Sequence, residues 1–191
     1  MQNYAWHARA LAALGRADFE DAYRHACAVS PAGVLASHVP HALWLIMDLV
    51  EAAVRSGRHA EAAAHVAAAQ EAGVAGISPR PAMITRGSAA LTCTDETCGD
   101  LFESALATPG ADRWPFDQAR IQLAYGERLR RIKATTAART QLAAAQDTFE
   151  RLLARPWAAR ASRDSGHAAA GRIRIRPLPG CCRRPAGDPT L

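Results

Sequence analysis

The sequence has few aromatic residues, almost no lysine and no long apolar run. Aromatic residues make up 6% of the chain, and Lys133 is its single lysine. The longest apolar stretch, "ALWLIMDLVEAAV" at 42–54, contains Asp48 and Glu51 and is too short to cross a bilayer, so it predicts a buried helix. The N-terminus has no basic segment followed by an apolar one, so we expect no signal peptide.

Cysteine is also scarce, and its spacing does not fit a disulfide framework. The five cysteines are odd in number and irregularly placed. Cys93 and Cys98 are separated by four residues, and Cys181 is adjacent to Cys182, whereas a zinc site usually needs two CxxC-like pairs. We therefore predict free structural thiols, no metal site and, by default, a cytoplasmic location.

Motifs for nucleotide binding and catalysis are missing as well. The chain contains no GxxxxGK[ST], GxGxxG or GxSxG sequence. The acidic residues Asp18, Glu20 and Asp21 open a helix, where negative charge favours the helix dipole. His59 and His65 lie six positions apart on one predicted helix and so face different directions. We predict that the chain is not an enzyme and has no catalytic, cofactor-binding or metal-binding residues.

The net charge of +5 is concentrated at the C-terminus. Residues 162–191 contain six arginines and two aspartates and carry +4, which leaves +1 on residues 1–161. Residues 1–161 therefore lack the broad basic surface that is typical of proteins that bind nucleic acids.

The sequence is rich in alanine, which makes up about a quarter of the chain. Many of its segments have apolar residues spaced with the period of an α-helix. Alanine has the highest helix propensity and lets helices approach closely. Asp18 predicts a helix N-cap, and Pro40 and Pro115 suit first helical turns. Gly57, Gly73 and Pro156 predict helix ends. The predicted helices cover 3–15, 18–29, 40–56, 59–72, 82–91, 95–107, 115–131 and 135–154, with a short one at 157–162.

The predicted helices form pairs that recur along the chain. "RADFEDAYRHA" at 16–26 parallels "SGRHAEAAAHV" at 56–66, and aligning Ala22 with Ala62 places Thr97 and Ala137 at the same position of two weaker copies. The intervals of 40, 35 and 40 residues are typical of tetratricopeptide-type (TPR-type) helical hairpins, which stack into a solenoid. Strands, or helices gathered around one enclosed polar cavity, would contradict this prediction.

The run "ATPGADRWPFDQARIQLAYGERLRR" at 107–131 predicts a turn, a helix start at Trp114–Pro115 and an amphipathic helix. Ile121, Ala124 and Leu129 are expected on its buried face. Four charged side chains are expected on its outer face: Arg120, Glu127, Arg128 and Arg131.

This run resembles the helical-repeat region of large actinobacterial LuxR-type transcriptional regulators, the MalT-like proteins with an ATPase module. Two further runs share the resemblance, 30–69 and "RTQLAAAQDTFERLLARPWAARA" at 139–161. It covers about 1–161. The resemblance implies a TPR-like sensor region that follows a nucleotide-binding module and precedes a DNA-binding helix-turn-helix domain headed by an "LT..E" motif.

After Ala161 the resemblance stops, and "SRDSGHAAAGRIRIRPLPGCCRRPAGDPTL" contains no such motif. We expect residues 162–191 to be a disordered basic Arg/Pro/Gly tail, a frameshift product or other truncation artefact. The alternative is a genuine basic arm that contacts DNA phosphates.

The sequence thus predicts an all-α, TPR-like α-solenoid of antiparallel helix pairs over 1–161. The resemblance implies a fragment of a LuxR-family regulator that retains the sensor and protein-interaction region and lacks the ATPase and DNA-binding domains. It would bind a protein partner or small effector on its surface, use no cofactor, and contact neither membrane nor DNA. The alternative is a free-standing TPR-type adaptor that binds another protein.

Overall fold

The structure, a computed structural model, describes residues 2–35, 39–94 and 97–169, and these contain helices and no strand. The all-α prediction is confirmed. Short 3-10 turns lie at Pro40–Trp44, Val74–Gly76 and Ala111–Arg113. The α-helices are α1 (Gln2–Arg16), α2 (Phe19–Cys27), α3 (Ile46–Arg55), α4 (His59–Glu71), α5 (Pro79–Thr92), α6 (Cys98–Leu106), α7 (Pro115–Arg131), α8 (Thr135–Arg151) and α9 (Arg155–Ala169).

Local sequence signals set several helix ends as predicted. The Asp18 carboxylate caps α2 by accepting a hydrogen bond from the Asp21 N–H at 3.2 Å. Pro115 occupies the first turn of α7, where its missing N–H is not needed. Gly57 and Gly73 follow α3 and α4 with φ of 82° and 64°, a left-handed conformation that glycine adopts without strain.

Other boundaries differ from the prediction. The segment predicted as one helix over 40–56 is a 3-10 turn followed by α3. The helix predicted over 135–154 ends at Arg151, and Pro156 lies in the first turn of α9 instead of ending a helix. The short helix predicted at 157–162 extends to Ala169, because Pro156 is tolerated at a helix start and no second proline follows it within the helix.

Helix α9 therefore continues past residue 161, where the sequence analysis placed the end of the helical region. Asp164 pairs there with Arg130 of α7 at 2.6 Å. The predicted disorder of the remaining tail, 170–191, lies outside the described residues, as do Cys181 and Cys182.

Successive helices pack side by side, and the first helix also packs against the last. Trp157 of α9 lies against Gly15 of α1, where an added β-carbon would come within 2.9 Å of the indole nitrogen. Arg160 donates a hydrogen bond to the Leu14 carbonyl at 3.3 Å. The two ends of the helical region are thus in contact, whereas in a linear stack each pair contacts only its neighbours.

Small residues allow close helix crossings, although the predicted alignment is only half right. Ala22 and Ala62 are fully buried, as expected for crossing positions. Thr97 and Ala137 are exposed, and the fully buried residue near the start of α8 is Ala138. Adjacent alanines made a shift of one residue invisible in the sequence.

The cysteine prediction is wrong for one pair. Cys93 and Cys98 form a disulfide that joins the end of α5 to the start of α6, while Cys27 is a free thiol. Their spacing of five positions reflects the short turn between the two helices. The expected cytoplasmic location was based partly on free thiols, and Cys93 and Cys98 do not provide that support, because disulfides are rare in cytosolic proteins. None of the described helices has both the length and the apolar composition needed to span a membrane.

Gly126 marks the closest approach of α7 to α8. A β-carbon at this position would lie 2.7 Å from Cγ of Leu142 and 3.3 Å from the Ala138 carbonyl oxygen. We expect Gly126→Ala to lower the free energy of unfolding by about 1–2 kcal/mol, because overpacking outweighs the gain in helix propensity.

Urea denaturation followed by circular dichroism measures this loss. The matched control is Gly99→Ala in α6, where the nearest atom, the Tyr125 hydroxyl oxygen, is an ordinary 3.7 Å away. A Gly126→Ala protein as stable as the wild type would contradict the close helix approach.

His65 of α4 is fully buried and uncharged. Its Nδ1 accepts a hydrogen bond from the Gly33 N–H at 3.2 Å, and its Nε2 has no partner among the described residues. Burial lowers the pKa of His65 from 6.5 to about 4. His59 lies on the same helix and is exposed, which confirms the prediction that the two histidines point in different directions.

The unfolded chain binds a proton at His65 before the folded chain does, so stability falls as the pH drops from 6.5 towards 4. Between pH 7 and pH 5, we expect the unfolding free energy of the wild type to fall by about 2 kcal/mol more than that of His65→Gln. Urea denaturation at both pH values checks this, with His59→Gln as the control. An unchanged pH dependence in His65→Gln would contradict the buried, neutral imidazole.

Candidate functional site

Five charged side chains lie inside the helical array, on α3, α7 and α9. Each is at most 4% exposed, although isolated charges are very costly to bury. We call them the charge network: Asp48, Glu51, Arg120, Glu127 and Arg160.

Glu51 is the centre of this network. Its Oε2 lies 3.1 Å from Nη2 of Arg120, and its Oε1 lies 2.7 Å from Nη2 of Arg160. One carboxylate of α3 thus binds one guanidinium from α7 and one from α9. This single side chain therefore contacts residues that lie 69 and 109 positions away in the sequence.

Each arginine has a second carboxylate partner. Nη1 of Arg120 lies 2.5 Å from Oδ1 of Asp48. Nε and Nη2 of Arg160 both donate to Oε1 of Glu127, at 3.2 and 3.0 Å. Arg55, at the end of α3, forms an ion pair with the other oxygen of Glu127. Three carboxylates therefore balance three guanidinium groups.

Aromatic rings cover the arginines from outside the network. The guanidinium carbons of Arg120 and Arg160 lie 5.0 and 5.6 Å from the centre of the Trp157 ring, and that of Arg160 lies 5.3 Å from the centre of Phe19. Cation–π attraction of this kind is worth more where water is excluded. The rings therefore stabilise the cations at the place where they lose their hydration.

A histidine pair extends the network towards the surface. Nε2 of His7 lies 3.0 Å from Oδ2 of Asp48, and its Nδ1 lies 3.0 Å from Nε2 of His41. The exposed side chains of Tyr4 and Trp44 have ring centres 4.2 and 4.9 Å from that of His41. Burial lowers the pKa of His41, and the neighbouring His7 lowers it further.

The electrostatics keep Glu51 and Arg120 ionised at neutral pH. Burial alone would raise the pKa of Glu51, but Arg160, Arg120 and Arg55 outweigh it and lower that pKa to about 2. Burial opposes the charge on Arg120, yet Asp48 and Glu51 raise its pKa above the ordinary value. Its charges balance once Arg55 is counted, and every carboxylate is in contact with a cation, so the network is suited to fixing helices in place.

The charge network corrects the sequence analysis at two residues. Arg120 and Glu127 were expected on the outer face of α7, and both are buried. They are seven positions apart and so share one face of the helix. A signal for them existed: Asp48 and Glu51 sit in a run predicted as a buried helix, and buried acids need cationic partners.

The sequence analysis predicts no catalytic, cofactor-binding or metal-binding residue. The charge network was therefore found from the structure alone. Within the described ranges, no cluster of three or more His, Cys, Asp or Glu side chains could hold a metal ion. Comparisons with protein-family models, curated proteins and solved structures found no match.

Replacing Glu51 with glutamine would leave Arg120 and Arg160 short of one negative charge in a dry interior. We expect Glu51→Gln to lower the unfolding free energy by about 3–5 kcal/mol, the usual cost of breaking a buried ion pair from one side. Chemical denaturation measures it. Glu71→Gln, the same change at an exposed position of α4, should hardly move the midpoint. A loss below about 1 kcal/mol in Glu51→Gln would show that the network contributes little.

Proposed function

We propose that this chain is the sensor and protein-interaction region of a LuxR-family transcriptional regulator of the MalT-like kind. In this proposal the helix pairs are of TPR type and curl until α1 contacts α9. The region acts in the cytoplasm without catalysing a reaction. It binds a small effector or a protein, and a separate helix-turn-helix domain contacts DNA.

One observation supports the proposal most strongly: the charge network is drawn from the same three runs that carry the resemblance. The run 30–69 supplies Asp48 and Glu51, the run 107–131 supplies Arg120 and Glu127, and the run 139–161 supplies Arg160. The resemblance therefore includes residues that fix the positions of helices far apart in sequence. A likeness of composition alone would not select these buried positions.

The network also suits a sensor. It ties α3, α7 and α9 together through ion pairs and holds α1 through the hydrogen bond from Arg160 to the Leu14 carbonyl, so displacing one of these helices affects the others. A ligand shifts such an arrangement only by the difference in its affinity for two states. We propose that effector binding shifts this helix arrangement and that the shift is read by attached domains.

A second candidate function is a free-standing adaptor that binds another protein. Tyr4 is 63% and Trp44 46% exposed, and both flank the buried His41. Aromatic residues are enriched at the centres of protein interfaces. This patch favours a protein partner, and it is compatible with either function.

The genomic DNA that follows codon 161 distinguishes the two candidates. We expect one of its other two reading frames to encode an LTxxE-headed helix-turn-helix domain, as the family resemblance requires. A stop codon with no such domain in any frame would contradict the regulator and favour the adaptor. As a second test, the purified chain should show no preference for one operator over scrambled DNA in a mobility-shift assay at physiological salt.

A further inference from the structure

Helix α9 packs against the rest of the chain in the way that a bound helix packs into a groove. The side chains that anchor it include Trp157, Arg160, Ala161 and Asp164, at the spacing i, i+3, i+4 and i+7. This is the spacing with which an amphipathic helix binds in a groove of another protein. The groove is formed by α1, α7 and α8, and we call it the α9 groove.

Trp157 is the aromatic anchor of α9. Its ring centre lies 5.5 Å from that of Phe116 on α7 and 5.6 Å from that of Phe149 on α8. Gly15 of α1 leaves space for the indole, because a β-carbon there would lie 2.9 Å from the indole nitrogen. Helices that are far apart in sequence thus form the pocket for this one side chain.

Polar contacts hold α9 on both sides of Trp157. Arg160 donates to the Leu14 carbonyl of α1 and pairs with Glu127 of α7. Asp164 pairs with Arg130 of α7 at 2.6 Å. Tryptophan and arginine are the residue types that most often dominate the binding energy of protein interfaces. Helix α9 therefore has the anchors of a binding partner, although it belongs to the same chain.

The connection between α8 and α9 is short and strained. It consists of Leu152, Leu153 and Ala154. Leu153 has a φ of 56°, a left-handed conformation that is unfavourable for residues other than glycine. Joining α8 and α9 into one straight helix does not relieve this strain, because the Pro156 ring would clash with the Leu152 carbonyl. The strain is released when the connection opens and α9 leaves the groove of its own chain.

The same connection exposes apolar surface. Leu152 is 44% exposed and Leu153 is 78% exposed. If two copies exchange their last helices, the opened connections of the two copies lie beside each other at the crossing point. The leucines of one copy can then pack on those of the other, and this burial favours the exchanged form.

We propose that α9 exchanges between two copies of this chain, so that each α9 binds in the α9 groove of the other copy. A second copy is the partner because its own α9 carries the anchors that fit the groove. The exchange forms every contact of α9 again and releases the strain at Leu153 in both copies. This inference goes beyond the proposed function and does not rest on it, since a regulator and an adaptor would dimerise in the same way.

Size-exclusion chromatography with light scattering tests the exchange on the full chain. The protein is first refolded from urea at about 1 mM, the order of the concentration at which an attached α9 competes for its own groove. We expect a dimer with a Kd of about 0.1 mM or tighter, because the strain at two connections favours the exchanged form.

Nuclear magnetic resonance on a mixture of isotopically labelled and unlabelled chains identifies the interface. The exchange places Trp157 of one copy beside Phe149 of the other. We therefore expect nuclear Overhauser effects between these two rings that pass from labelled to unlabelled chains. A dimer that forms through any other surface would give none between these rings.

One substitution tests the role of the connection. Leu153→Gly should raise the Kd of the dimer about 20-fold, because glycine adopts a positive φ without strain and the monomer no longer gains by opening. The matched control is Lys133→Gly in the turn between α7 and α8, where the exposed Lys133 has a φ of 63°. That turn is the same in monomer and dimer, so its Kd should be unchanged.

Three results would overturn the exchange: a wild type that stays monomeric after refolding at about 1 mM, a dimer without contacts between Trp157 and Phe149 of different copies, or an equal Kd in Leu153→Gly and Lys133→Gly. All of these outcomes are independent of the DNA that follows codon 161. They therefore separate failure of the exchange from failure of the proposed function.

Discussion

The structure depends on Glu51 and the two arginines that it binds. Helices built largely of alanine bury little apolar surface per residue, so packing alone distinguishes weakly between one helix arrangement and its neighbours. Buried charges do favour one helix arrangement over the others, because any arrangement that separates them leaves an unpaired ion. By fixing Arg120 and Arg160 on one carboxylate, Glu51 sets where α7 and α9 lie relative to α3.

How much of this fold the sequence predicts depends on how far apart the interacting residues are. Helix ends at Asp18, Gly57 and Pro115 are predicted because their chemistry acts within a few residues. The partner of Glu51 at Arg160 is 109 positions away, and nothing local to either residue indicates it. The placement of Arg120 was wrong for the same reason, since a charge on an amphipathic helix is normally solvated.

Two other differences have local causes that a single sequence leaves ambiguous. Ala137 and Ala138 are chemically identical neighbours, so the repeat pattern could not choose the buried one. Pro156 is compatible with the end of one helix or the start of the next, and the two positions are only a few residues apart. Of the candidate site, the sequence showed that Asp48 and Glu51 lie in a buried helix, and it did not show their partners.

Arg55 lies at the edge of the charge network, because it pairs with Glu127. The same carboxylate holds Arg160 of α9. The network together with Arg55 is therefore a charged layer between α3, α7 and α9 that fixes these helices relative to one another.

A double-mutant cycle on Glu51→Gln and Arg160→Gln tests most directly whether this layer holds the structure together. The unfolding free energies of the wild type, the two single variants and the double variant give the coupling between the side chains. We predict a coupling of about 2 kcal/mol or more, because the second substitution removes a charge that the first leaves unpaired. Effects that add to within about 0.5 kcal/mol would contradict the central role of the buried ion pairs.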